Sequence, residues 1–259
     1  MSAVRQVLKK VLPANTGTVV ATVKAARATG LMSAWLSSRA NASRVLRLGS
    51  EYGGWVVPAG SLDADSVCYC AGCGEDITFD LALIQTFGCD VFGIDPTPRS
   101  VAFVEKAAAG QDQYHLLSIG LWSSDETVRF YAPQDNTHVS HSITNLQNTS
   151  EYFEADVKTV KSVMAEQSHR NLALLKLDIE GAELAVIETM LADGVLPRVL
   201  CVEYDCLTDP DVSVRARLQT LNQTLLRRGY ALFWIEGRNF TFVQSETARP
   251  TETGGQIQS

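Results

Sequence analysis

The chain has 259 residues, 46% hydrophobic and 20% charged, which suits one globular domain with a substantial core plus an appendage. Its net charge of −7 argues against general nucleic-acid binding, which rests on phosphate neutralisation. No apolar run reaches the ~18 residues of a membrane span. The charge is uneven, since residues 1–50 hold eight Lys or Arg and no Asp or Glu. Within residues 1–45, Val4, Leu8, Val11 and Leu12 share one helical face, with Arg5, Lys9 and Lys10 elsewhere. Pro13, Gly17 and Gly30 break the stretch into short pieces. An organelle transit peptide or a surface-anchoring helix has a similar composition. The preferred reading is a basic helical cap that packs over the site.

Residues 67–98, VCYCAGCGEDITFDLALIQTFGCDVFGIDPTP, read as strand, glycine loop, helix and strand. The apolar run from Val67 to Ala71 meets Gly72-Cys73-Gly74, and then Ile77, Leu81, Ile84 and Phe87 recur at helical spacing. Gly88 closes that helix, and Val91–Ile94 forms a second buried strand ending on Asp95. Glycines let backbone approach a ligand at a helix mouth, and an acid at the second strand's tip can accept both hydroxyls of a ribose. The pattern predicts an adenosine-type ligand across the carboxyl ends of a parallel sheet. The dinucleotide fingerprint wants a third glycine, and Glu75, Asp76 and Ile77 follow Gly74 instead. Two carboxylates there would repel a diphosphate and tolerate a cationic ligand, so S-adenosylmethionine fits better than NAD.

Six cysteines, at 68, 70, 73, 89, 201 and 206, pose a separate question. Cys70-x-x-Cys73 has redox-motif spacing, but its second cysteine lies inside the glycine loop rather than starting a helix. The four histidines are not placed to complete a zinc site. Reduced core cysteines suit a cytoplasmic protein.

Thr97-Pro98 starts a helix that Gly110 ends, and a third strand follows at Tyr114–Ile119, running into Gly120-Leu121-Trp122. Thr127–Tyr131 alternates like half of a hairpin and leads into a polar loop at 137–145. A fourth strand spans 172–180, with its helix at about 182–192 stopped by Gly194. The fifth strand is 199–205, before a long helix that Gly229 ends. Two closing strands meet through Glu236-Gly237-Arg238-Asn239, a link that makes them antiparallel. The tail at 246–259 is nearly devoid of apolar residues and reads as disordered.

LKLDIEGAE at 175–183 resembles the signature of FkbM-type methyltransferases, and GCGEDITFDLAL followed by FGIDPTPRS resembles the cofactor half of that family. RLGSEYGGWVVP at 47–58 is similar to the segment preceding it, so the likeness covers about 47–245. The resemblance implies an α/β class I methyltransferase fold, Rossmann-like and seven-stranded, mostly parallel with an antiparallel C-terminal strand and flanked by helices. It also implies S-adenosylmethionine as donor and O-methylation of a sugar, glycolipid or natural product. Carried over, Gly72 and Gly74 face the methionine part, Asp95 the ribose, and Gly120 and Leu121 the adenine. Ala71, Glu75, Asp76 and Pro96 complete the cofactor set. Asp178, at the fourth strand's tip, lies beside the transferred methyl.

An acid ending an apolar strand at a sheet mouth points the same way for Asp178, against a plain helix-capping role, whereas for Glu180 the site role and the capping role both stay open. Candidate bases for the acceptor hydroxyl are Asp178, Glu203, and His138 or His141 in the polar loop. Mg²⁺ is the alternative, held by Asp178, Glu203 and Asp205. The partner is a small-molecule or glycan acceptor, with homo-oligomerisation left open. Two other classes stand beside this reading: a nicotinamide-dependent oxidoreductase and a non-catalytic adenosine-ligand-binding module.

Overall fold

The protein is described by a computed structural model over residues 16–41, 45–131 and 151–245. Helices α1 (Thr16–Ala28) and α2 (Met32–Asn41) lead to the hairpin β1 (Val45–Leu48)–β2 (Trp55–Pro58). Then β3 (Val67–Ala71), α3 (Thr78–Phe87), β4 (Asp90–Ile94), α4 (Pro98–Ala107) and β5 (Tyr114–Leu117) alternate. Short strands β6 (Gly120–Leu121), β7 (Glu126–Tyr131) and β8 (Tyr152–Lys158) interrupt the alternation. It resumes with α5 (Val160–Glu166), β9 (Leu174–Leu177), α6 (Glu183–Ala192), β10 (Val199–Glu203) and α7 (Val212–Arg227). The hairpin β11 (Tyr230–Glu236)–β12 (Asn239–Gln244) closes the fold.

Seven strands form one sheet in the order β11-β12-β10-β9-β3-β4-β5. The strands from β5 to β10 run parallel, and β12 enters antiparallel beside β10. The fold is therefore the expected one, an α/β class I methyltransferase sheet flanked by helices. The chain first builds outward through β4 to β5, then returns to build outward from β9. The boundary between β3 and β9 is thus the switch point, where strand ends leave a crevice for a ligand.

Alternation sorts β3 between two cores. Cys68 and Cys70 join Trp55, Phe79 and Leu83 under α3, whereas Tyr69 and Ala71 join Leu175, Ile187 and Leu200 on the other face. All four residues of β9 are buried, as a strand covered on both faces requires.

Three expectations need correction. Gly17 lies inside α1 rather than breaking it, since a single glycine costs a helix only about 1 kcal/mol. The break comes at Gly30, with φ of 73°. The described part of the N-terminal segment does not lie over the crevice: Leu31 and Trp35, 0% and 2% exposed, join the main core beside β11 and α7. Asn222 of α7 donates to the Thr29 carbonyl at 3.2 Å and Gln219 to that of Ala28 at 2.9 Å. Finally, the third strand stops at Leu117, and Gly120-Leu121 pairs with β8 in a separate three-stranded sheet. Residues 1–15, the polar loop and the tail lie outside the described residues. Among the described residues no helix is long and apolar enough to cross a membrane.

Candidate functional site

β3 ends at Ala71, and the chain turns through Gly72 and Gly74, with φ of 81° and 53°. Asp95, 6% exposed at the tip of β4, holds this turn. One carboxylate oxygen accepts the main-chain N–H groups of Cys73 and Gly74, both at 3.0 Å, and the other accepts that of Thr97 at 2.8 Å. The acid thus binds the glycine loop to the start of α4.

Glu75 and Asp76 are both engaged by protein groups. Glu75 forms a bidentate pair with Arg99 at 2.9 and 2.7 Å. Asp76 accepts the Thr78 N–H and hydroxyl at 2.9 and 2.6 Å, and the Ser50 hydroxyl. Partial burial opposes ionisation of Asp76, but the Ser50 and Thr78 hydrogen bonds outweigh it and hold the carboxyl below its usual value. Ser50 in turn accepts the Gly53 N–H at 2.8 Å, which sets Tyr52 and Gly53 at the mouth of the crevice. The charge reasoning against a diphosphate therefore weakens, because Arg99 neutralises Glu75.

Beyond β9 the chain makes a second tight turn. Glu180 is left-handed at φ 53°, an uncommon conformation for a residue with a side chain, and Gly181 follows at 93°. Glu183, 1% exposed, accepts the Ile179 and Gly181 N–H groups, both at 3.1 Å, and so braces the turn from within. Burial, aided by the charge of Asp205, pushes its carboxyl up to about 8 against the pull of those bonds. The N-cap of α6 is Ala182, with no side-chain cap, so Asp178 and Glu180 do not cap that helix. Asp178 instead lies 3.5 Å from the Lys176 ammonium.

Glu203 and Asp205 are tied together by Arg238 from the β11–β12 turn, at 2.7 and 2.9 Å. Burial and the neighbouring Asp178 raise Glu203 to about 7, and burial and Glu180 raise Asp205 to about 6, against the lowering field of Arg238. Among the described residues no group of three His, Cys, Asp or Glu side chains could hold a metal ion. The donor set expected for Mg²⁺ thus holds a guanidinium instead, because the Glu236–Asn239 turn delivers Arg238 between the two acids.

The crevice gathers Gly72, Gly74, Glu75, Asp76, Asp95, Pro96, Gly120, Leu121, Asp178 and Glu180. Ala71 is fully buried behind it, Glu203 and Asp205 stand outside its lining, and His138 and His141 lie outside the described residues. Sequence reasoning missed Lys176, Ser100 and Phe130 on its walls. Phe130 stacks on Phe153 with centroids 5.3 Å apart, a wall that depends on β8. Ser100 is 1% exposed, and its hydroxyl has no partner among the described residues. The cysteines are free, and burial raises the Cys70 and Cys73 thiols well above their usual value.

The sequence profile described as the methyltransferase FkbM domain matches residues 70–231. Among curated proteins, the probable methyltransferase-like protein 24 of Homo sapiens is 28% identical over 131 residues, and that of Rattus norvegicus 25%. Each match covers 51% of this chain and 30% of the relative, so the chain aligns with under a third of those proteins. Among solved structures, the SAH-bound Podospora anserina methyltransferase PaMTH1 matches with a TM-score of 0.39 and 12% identity, covering 70% of this chain and 72% of that one. A putative rRNA methylase from Clostridium thermocellum matches with a TM-score of 0.42 and 10% identity, covering 71% and 89%. The profile spans more than half of the chain and takes in both the glycine loop and the Asp178 turn, so the chain belongs to the FkbM methyltransferase family.

Proposed function

We propose that the protein transfers a methyl group from S-adenosylmethionine to a hydroxyl of a sugar, glycolipid or natural-product acceptor. The observation that carries this reading is that the glycine loop, Asp95 and Asp178 line one crevice at the switch point of the sheet. The crevice suits the ligand in three ways. The Gly72–Gly74 turn lines the crevice with backbone for the methionine part, and Asp95, with three of its roughly four acceptor sites taken by N–H groups, keeps one for a ribose hydroxyl. Pro96, Leu121 and Phe130 offer an apolar slot for a purine.

S-adenosylmethionine supplies a methyl group on a positively charged sulfur, already a good leaving group. The protein's work is then to align an acceptor and remove its proton. Asp178 is the base candidate that reaches the crevice. Glu203, raised to about 7 by burial and the neighbouring Asp178, is held by Arg238 outside the lining. Asp178 is therefore the assigned base, with Glu203 as an outer proton acceptor.

Calorimetry with S-adenosylhomocysteine and, separately, NADH tests the donor. Binding of the first alone is expected, and binding of NADH alone would overturn the reading. Transfer of label from S-adenosylmethionine to a panel of glycosides and glycolipids tests the acceptor, and label found on nitrogen or carbon would overturn O-methylation.

A further inference from the structure

β9 is apolar except at one position. Lys176 stands between Leu175 and Leu177, 7% exposed, and reaches the wall of the crevice. Its ammonium donates to the Gly72 carbonyl at 2.6 Å and lies 3.5 Å from an oxygen of Asp178. Burial pulls its pKa down, and the fields of Asp178 and Asp80 more than restore it, so the group stays charged. Asp80 is buried in α3 and accepts the Tyr114 hydroxyl at 3.0 Å. An ammonium in a core is expensive to desolvate, and a leucine like its neighbours would pack there without that expense. The charge sits where the loop assigned to the donor meets the acid assigned to the reaction.

We propose that Lys176 is a positioning residue for methyl transfer. It fixes the Gly72 carbonyl and the Asp178 carboxylate relative to each other, and it sets a positive charge beside the cofactor's sulfur, so that the site favours the neutral sulfur of the product over the cationic sulfur of the donor. This rests on S-adenosylmethionine being the donor. The reaction removes one unit of charge from that sulfur: the electron pair of the breaking sulfur–methyl bond stays on sulfur, the acceptor oxygen takes the methyl, and its proton passes to a base. Lys176 thus opposes the charge that transfer removes, and its repulsion is relieved on the way to the transition state.

The test is calorimetry of S-adenosylmethionine and S-adenosylhomocysteine on the wild type, Lys176→Arg and Lys176→Met at one pH and ionic strength. The readout is the ratio of the two dissociation constants, donor over product. Lys176→Arg keeps the charge and should leave the ratio within about twofold of wild type. Lys176→Met should lower it about fivefold or more, the scale of one unit charge a few ångströms away in a partly screened site. A brace with no electrostatic role would weaken both ligands alike, and an unchanged ratio in folded Lys176→Met overturns the proposal. Should that variant fail to fold, Asp80→Asn/Lys176→Met removes the unpaired acid as well and is read against Asp80→Asn alone. A wild type that binds neither ligand would instead sink the donor assignment, and this proposal with it.

Discussion

A Cβ added to Gly72 would lie 1.7 Å from the main-chain oxygen of Asp178. The glycine loop after β3 and the Asp178 turn after β9, distant in sequence, therefore touch backbone to backbone. The Asp178 N–H also donates to the Ala71 carbonyl at 3.2 Å, which continues the β3–β9 ladder into both loops. Gly72→Ala must move one loop off the other and place a side chain at φ 81°. We expect a loss of roughly 2–4 kcal/mol of stability and at least tenfold weaker S-adenosylhomocysteine binding. Denaturant unfolding checks the first figure, and a midpoint equal to wild type would show that the contact yields freely.

Glu183 predicts how stability depends on pH. Its folded pKa, about 8, stands above its ordinary value of 4.5. The folded state therefore holds the proton more tightly, so this contribution is full below about pH 4.5 and is lost as pH rises through 8. Asp80 and Asp205, both raised to about 6, and Glu203, raised to about 7, add in the same direction. The protein should melt higher at pH 5.5 than at pH 8.5. Glu183→Gln keeps an acceptor for the Ile179 and Gly181 N–H groups and removes the titration, so it should recover roughly 1–3 kcal/mol at pH 8.5 and little at pH 5.5. Parallel pH profiles for variant and wild type would contradict this account of Glu183.

Much of this was legible because local pattern and tertiary role coincided. Short, largely apolar runs mark β3, β4, β9 and β10, with Gly72 ending β3, and Gly88 closes α3 in the left-handed conformation that glycine favours. What stayed hidden depends on partners distant in sequence. Nothing local shows that Arg238 will clamp Glu203 and Asp205, or that Arg99 will neutralise Glu75. In the sequence Lys176 is one charged residue near a strand end, and its burial is invisible until β3 and β9 are paired. β8 alternates apolar and polar residues, but only its antiparallel pairing with β7 makes Phe130 a wall of the crevice.

The N-terminal helices make a prediction opposite to that of a removable cap. Trp35 is 2% exposed within the main core, and α2 packs against β11. Trp35→Ala should cost about 3–5 kcal/mol, and deleting residues 1–41 should give an insoluble chain. The crevice lies elsewhere on the molecule, so Trp35→Ala should keep wild-type affinity for S-adenosylhomocysteine at temperatures where it remains folded. Full solubility and an unshifted melting temperature for the deletion would restore the cap.

The last prediction concerns Asp178, which faces the crevice and does not cap α6. Asp178→Asn keeps size and shape but withdraws the negative partner of Lys176 at 3.5 Å. A modest destabilisation of about 1–2 kcal/mol is expected, because the ammonium keeps the Gly72 carbonyl and Asp80. The rate should fall ~100-fold or more if the carboxylate takes the acceptor's proton. A chelator should leave the wild-type rate unchanged, since the cation between Glu203 and Asp205 is Arg238 and Asp178 alone is a poor site for Mg²⁺. Glu203→Gln separates the two acids: as an outer acceptor it should slow transfer far less than Asp178→Asn does. Near-normal turnover in Asp178→Asn together with a large loss in Glu203→Gln would move the base from β9 to β10, and loss of wild-type turnover on chelation would return the metal to the site.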